Sequence, residues 1–271
     1  MLRYVNHMGE SIDLDSGAYL MDIGTIRDYA WQYQSSNDRI SSFSRPAIAQ
    51  KECTILIRGI DALDAAQKRN SFFSLVEKDV LAMMPGKLWV DDYYLSCYIV
   101  SSTKSGHVNT RRFGVIGVTI LTDSCRWVRE DTVSFGSGIE NVEGYGYPYG
   151  CPYGYPNSMT SQRVINSGIA PLKFRATVYG PVTSPSFAIG GHYYTVDNAG
   201  LLDGEYMVID QVEKTIVKVG TSGDKTNLFA NRSAESYIFE PVPTGASVVS
   251  WDGSFGFDIT LIHERSEPEW T

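Results

Sequence analysis

Long apolar runs are missing from this sequence. The longest near-apolar stretch, residues 115–121, is far too short to cross a bilayer. The opening "MLRYVNHMGESIDLD" lacks the apolar core of a secretory signal, so synthesis and folding in a cytoplasm are expected. Paired cysteines are missing too. Cys53, Cys97, Cys125 and Cys151 are scattered without a CxxC, which excludes the usual zinc and redox spacings and leaves free, mostly buried thiols as the expectation. Excess positive charge is absent. Twenty-three Lys and Arg stand against 31 Asp and Glu, a net charge of −8, which argues against a chain that grips phosphate backbones by bulk charge.

Catalytic signatures are equally scarce. There is no GxGxxG loop, P-loop, GxSxG elbow or HExxH. His7, His107, His192 and His263 lie in separate segments. Asp91-Asp92 and the set Asp203, Glu205 and Asp210 are the carboxylates to consider for acid–base work. Adjacent residues of a strand point to opposite faces, so Asp91 and Asp92 converge poorly, and "LLDGEY" reads as ordinary turn chemistry. "DLDSG" lacks the spaced ligands of a calcium loop and reads as a turn. No cofactor or metal is expected.

What is present is mainly β. "ECTILIRGI" alternates, with Cys53, Ile55 and Ile57 on one side. One long helix follows. Ser71 can act as its N-cap, Phe73, Val76 and Val80 form a stripe beside Phe72, and Pro85-Gly86 stops it. Two long strands, residues 93–101 and 113–121, flank the polar "SGHVNT" and predict a projecting hairpin whose edges a neighbouring chain would cover. From Phe174 onward every segment reads as strand. Phe174, Ala176 and Val178 share a face. A hairpin turns near residues 211–214. "ESYIFEPVPTGASVVSWDGSFGFDITLIHE" reads as three strands, the last with Phe257, Ile259 and Leu261 inward. Short alternating strands without a helix argue for a β-sandwich.

Between these regions lies "YGYPYGCPYGYP". Proline and glycine exclude a helix or a central strand there, and its tyrosines predict an extended connection lying against another surface. The expected organisation is an N-terminal domain over 1–130, a connector over 131–160 and a C-terminal sandwich over 161–271. Surface aromatics offer a second possibility, a carbohydrate-binding adhesion module that recognises cell-wall polysaccharide through Tyr193, Tyr194, Trp251 and the tyrosine run.

The order of these pieces resembles the distal tail protein (Dit) family of siphovirus-type phages. The resemblance rests on "IRGIDALDAA", the helix, "MPGKLWVDDYYLSCYIVSS" and "FGVIGVTILTDSCRW". It continues through "YGPVTSPSFAIGG", "GEYMVID", "PTGASVVSW" and "HERSEPEW". It implies an N-terminal β-sandwich-like ring-forming (belt) domain with one helix and a long β-hairpin, and a C-terminal galectin-like β-sandwich. It also implies a non-enzymatic homo-hexamer at the virion tail tip. There the family joins the major tail tube protein to the tail-tip hub (tail-associated lysin) protein and to receptor-binding proteins, while DNA passes through without specific binding. Arg111 and Arg112 at the hairpin base, with Phe113 and Tyr98 on its strands, are the expected subunit contacts.

Overall fold

The structure, a computed structural model, describes residues 1–104, 111–137 and 162–270. The chain is mainly β and forms two units, Met1–Arg129 with Glu264–Thr271, and Glu130–His263. The boundaries fall inside two strands, Trp127–Phe135 and Phe257–Arg265.

In the first unit, strands Leu2–Val5, Gly86–Val90 and Tyr93–Lys104 pair in antiparallel order. The far half of Tyr93–Lys104 then pairs with Phe113–Thr122, from Leu121 opposite Tyr98 to Ile116 opposite Lys104. Phe113–Thr122 also pairs along its whole length with Ala49–Arg58. The expected hairpin therefore exists, but its second strand is interior to a sheet. The reason is the alternation itself: Ile116, Val118 and Ile120 are buried on the face that carries Ile55 and Ile57. The tip, residues 105–110, lies outside the described residues. Cys53 and Cys97 are buried and Cys125 is half-buried, all three as free thiols.

The helix spans Ala62–Ala82 and starts nine residues before Ser71. Asp61 is the N-cap, accepting from the Asp64 amide at 2.8 Å, and Asp64 accepts in return from the Ile60 amide at 2.8 Å. This reciprocal arrangement, with Lys68 one turn on at 2.7 Å from Asp64, offers more than a lone serine could. The buried stripe is Phe72, Leu75, Val76 and Asp79, at i, i+3, i+4 and i+7, while Phe73 and Val80 lie at its margin.

Asp79 is fully buried. Its two carboxylate oxygens accept from the Tyr4 hydroxyl at 2.6 Å, the His7 amide at 2.9 Å and the His7 ring Nδ1 at 2.6 Å. The cluster ties the first strand to the helix. Gly86 lies against it, and a Cβ at that position would run into the Tyr4 hydroxyl and Asp79. Burial pushes the Tyr4 phenol and the Cys97 thiol up, the thiol to about 12.

The tail residues that belong to the first unit are held by arginines. Arg126 donates to both oxygens of Glu264 at 3.0 Å, and Arg129 lies 3.7 Å from Glu269. Arg27, itself buried, stacks 4.0 Å from the Trp270 ring centroid.

The second unit is a sandwich. One sheet runs in the order Lys225–Asn227, Thr215–Val219, Tyr206–Asp210, Lys173–Tyr179, Phe257–Arg265 and Trp127–Phe135. The other has four strands, Gln162–Asn166, Gly245–Trp251, Ser186–Ile189 and His192–Thr195, in that order. Phe174, Ala176, Val178, Phe257, Ile259 and Leu261 line the core between them, as their alternation predicts. "ESYIF" is not a strand. Ile238 and Phe239 are buried within a turn closed by the Glu240 amide on the Tyr237 carbonyl, and Pro241 and Pro243, which lack amide donors, follow. That segment contributes two strands rather than three.

Candidate functional site

The four residues expected at a subunit contact do not form one patch. Arg111, Arg112 and Phe113 are exposed at one end of the Phe113–Thr122 strand, where the Arg112 carbonyl accepts from the Gly59 amide at 2.9 Å. Tyr98 is half-buried and stands opposite Leu121, eight residues along the same strand, roughly 27 Å away at strand rise. One edge of Phe113–Thr122 is paired along its whole length by Ala49–Arg58, and the other is paired from Ile116 to Leu121 by the Tyr98–Lys104 portion. The edge of the Tyr98–Lys104 portion that faces away from it pairs with no strand among the described residues. The backbone of Ile116–Leu121 is therefore closed to a neighbouring strand on both sides.

The aromatics considered for a glycan also separate. Tyr194 and Trp251 both register with Phe187, while Tyr193 registers with Ala188. Side chains alternate between sheet faces, so Tyr193 points away from the other two. Tyr194 is in the core, stacked on Phe187 at 5.2 Å, with its hydroxyl donating to the Glu240 carbonyl at 2.8 Å. Trp251 packs edge-on to Phe135 and Phe257 and donates to the Phe255 carbonyl at 3.1 Å. Only Tyr193 is well exposed. The tyrosine run lies outside the described residues.

The carboxylates have structural duties. Asp91 and Asp92 form the turn between Gly86–Val90 and Tyr93–Lys104, Asp91 with φ 52°. Glu205 accepts from the Leu202 amide and pairs with Lys218 at 2.6 Å, contacts that hold its carboxyl below the usual range. Asp210 pairs with Arg175 at 2.9 Å and closes the next turn through the Val212 and Glu213 amides. Among the described residues no cluster of His, Cys, Asp and Glu could hold a metal ion. No described helix is long and apolar enough to cross a membrane. A cavity of about 400 Å³ in the first unit is lined by Trp31, Arg45, Lys51, Cys125 and Trp127 among others. Its thiol is pushed up by burial, and Lys51 donates to the Asp28 carbonyl, so neither is arranged as a nucleophile with a base.

One element had no place in the sequence reading. Strands Gln32–Ser36 and Arg39–Ser44 form a two-stranded ribbon that pairs with no other strand among the described residues, and every residue of both strands is exposed. Asn37 and Asp38 turn it with φ of 50° and 57°, the left-handed pair a tight hairpin uses. Tyr33 opposes Phe43 and Ser35 opposes Ile40, across a bulge that keeps them on one face. Arg45, its guanidinium 4.9 Å from the Trp31 ring centroid, continues that face. Gln32, Gln34, Ser42 and Ser44 make the other face. The signal was readable as Trp31-x-Tyr33 alternation before an Asn-Asp turn, with Ile40 and Phe43 beyond it.

With this geometry the chain has the fold of phage distal tail and baseplate proteins, and the likeness runs through both units. The Dit protein of phage SPP1, described as a paradigm of hub adsorption apparatus in phages infecting Gram-positive hosts, superposes with a TM-score of 0.56 at 10% identity, covering 98% of this chain and 99% of that one. Chains of the phage P2 baseplate in its activated conformation superpose at 0.59 with calcium, 13% identity and 98% and 99% coverage, and at 0.57 with strontium, 14% identity and 99% and 100% coverage. No protein-family profile matches the chain, and no curated protein matches it.

Proposed function

We propose that this chain is a structural component of a phage tail tip: a hexameric ring that joins the tail tube to the tail-tip hub and the host-adhesion apparatus, with no catalytic activity of its own. The observation that carries this reading is the length-for-length likeness to the SPP1 Dit protein and the P2 baseplate, which includes both units. A shared sandwich alone would match only part of each chain. The carboxylates consumed in turns and ion pairs support a role played by position rather than by reaction.

In this reading the first unit, with its returning tail, forms the ring, the second presents the galectin-like sandwich, and the connector expected over 131–160 begins only after the strand Trp127–Phe135. The protein assembles in the host cytoplasm and functions in the virion, contacting the tube, the hub and a receptor-binding protein. Arg111 and Arg112 remain the proposed ion-pair contacts between neighbours. Because both are exposed, the double variant Arg111→Ala/Arg112→Ala should fold with stability within about 0.5 kcal/mol of the parent. It should nevertheless form rings less readily by light scattering. Unchanged ring formation would remove the pair from the interface.

An excess of eight negative charges suits a conduit through which DNA slides without sticking. Titration of the assembled protein with duplex DNA at low salt should show no saturable binding. Tight binding would end that part of the reading.

A further inference from the structure

The ribbon Gln32–Ser44 presents a physical problem that the chain by itself leaves open. A two-stranded hairpin is marginal in water unless one face packs on something. This one has an apolar face of Trp31, Tyr33, Ile40 and Phe43, exposed at 45, 66, 59 and 62%. Those four side chains present roughly 550 Å² by their exposures, at the top of what a monomer ordinarily leaves bare. That is also about two-thirds of one partner's share of a standard protein interface. The opposite face is glutamine and serine. Such patterning, apolar on one side and polar on the other, belongs to a ribbon that lies on a surface.

A matching surface exists on the same unit. On the sheet face opposite Ile55, Ile57, Ile116 and Val118, a row of apolar side chains crosses three strands: Leu20 opposite Leu56, and Leu56 opposite Val115. Phe113, two residues before Val115, extends the row to the sheet margin. Leu20 and Phe113 are exposed, and Leu56 and Val115 are half-buried. The row lies on a sheet face rather than along an edge, so a partner meets this surface through side chains.

We propose that the ribbon of one copy lays its Trp31–Tyr33–Ile40–Phe43 face on the Leu20–Leu56–Val115–Phe113 row of a second copy. The inference rests on the ring reading above and assigns its contact. Donor and acceptor are different surfaces of one unit, so the contact is head-to-tail and repeats from copy to copy, as a ring requires. The remaining third of the interface area falls to the surroundings of the row, where Arg58, Arg111 and Arg112 are exposed.

The test uses two variants of the full chain. The donor variant is Tyr33→Ser/Phe43→Ser, on exposed positions. The acceptor variant is Leu20→Asp/Val115→Thr, with Leu20→Asp alone as the substitute should the double change lower the unfolding midpoint. Each variant by itself should stay monomeric, its self-association weakened at least about tenfold. Mixed in equal amounts, they should form a heterodimer and nothing larger, because only one intact donor and one intact acceptor remain. A donor variant that forms rings like the parent overturns the ribbon contact and leaves the tail-tip reading standing. Monomeric variants whose mixture stays monomeric overturn the pairing of these two faces. A parent chain that remains monomeric up to about 1 mM overturns both the contact and the ring.

Discussion

Asp79→Ala should lower the stability of the first unit by about 3–5 kcal/mol, because it leaves the groups around a fully buried carboxylate without their partner. The Tyr4 hydroxyl, the His7 amide and the His7 ring all donate into that carboxylate within 2.9 Å. The Tyr4 hydroxyl would be left with only the Cys97 carbonyl at 3.5 Å, and a buried donor without a good acceptor loses its hydration without recompense. Asp79→Asn keeps the shape and one acceptor oxygen and should fall between the parent and the alanine variant. His7→Ala, which removes a partly exposed ring, should cost less than either. Trp89 and Trp127 belong to this unit, so denaturant titration followed by tryptophan fluorescence reports on it directly. Two units need not unfold together, and each transition is fitted separately. A shift under about 1 kcal/mol for Asp79→Ala would show that the cluster does not tie the first strand to the helix.

The second large effect lies in the sandwich. Phe257→Ala should cost about 3–5 kcal/mol, at the upper end of large-to-small core changes. Phe257 is fully buried and is the ring around which the others gather. It stacks on Phe135 at 4.8 Å and Phe187 at 4.7 Å, and meets Trp251 edge-on at 5.3 Å and Phe255 at 5.6 Å. Rings held on several sides cannot easily collapse into the vacated space, so most of the cavity should persist. Phe257→Leu, which fills much of that volume, should recover more than half of the loss. Trp251 is close enough that its fluorescence should shift in the alanine variant. An alanine variant as stable as the parent would contradict this account of the core.

How far the amino-acid sequence foretold these features depends on whether the signal was local. Alternation in "ECTILIRGI", "KFRATVY" and "GFDITLIH" placed Ile55, Phe174 and Phe257 inward, because period-two burial is written in the strand itself. Ser71 resembles an N-cap, while the true cap at Asp61 lies before a first turn, Ala62–Ala65, whose one large apolar side chain, Leu63, is exposed and so breaks the apolar stripe. "ESYIF" looked like a strand because Ile238 and Phe239 are buried, but burial does not require pairing, and the prolines that follow supply no donors. The hairpin strands were found, yet not the Ala49–Arg58 partner that makes one of them interior, since pairing across more than fifty residues leaves no local trace. Arg111 and Tyr98 are close in sequence, but Tyr98 stands opposite Leu121, toward the far end of Phe113–Thr122 from Arg111, because the hairpin carries its two strands past each other. Tyr193 and Tyr194 were grouped although neighbours on a strand face opposite ways. The ribbon leaves only a faint local signal: its apolar face is spread over two strands, and neither strand alone is apolar enough to stand out.

The proposed function turns on self-association through the first unit. The mass of the parent chain, measured by light scattering after size exclusion across concentrations up to about 1 mM, addresses it most directly. The account predicts a closed species of six copies that grows in with concentration and does not extend further. A single copy at every concentration, or an open ladder of ever larger species, would contradict it.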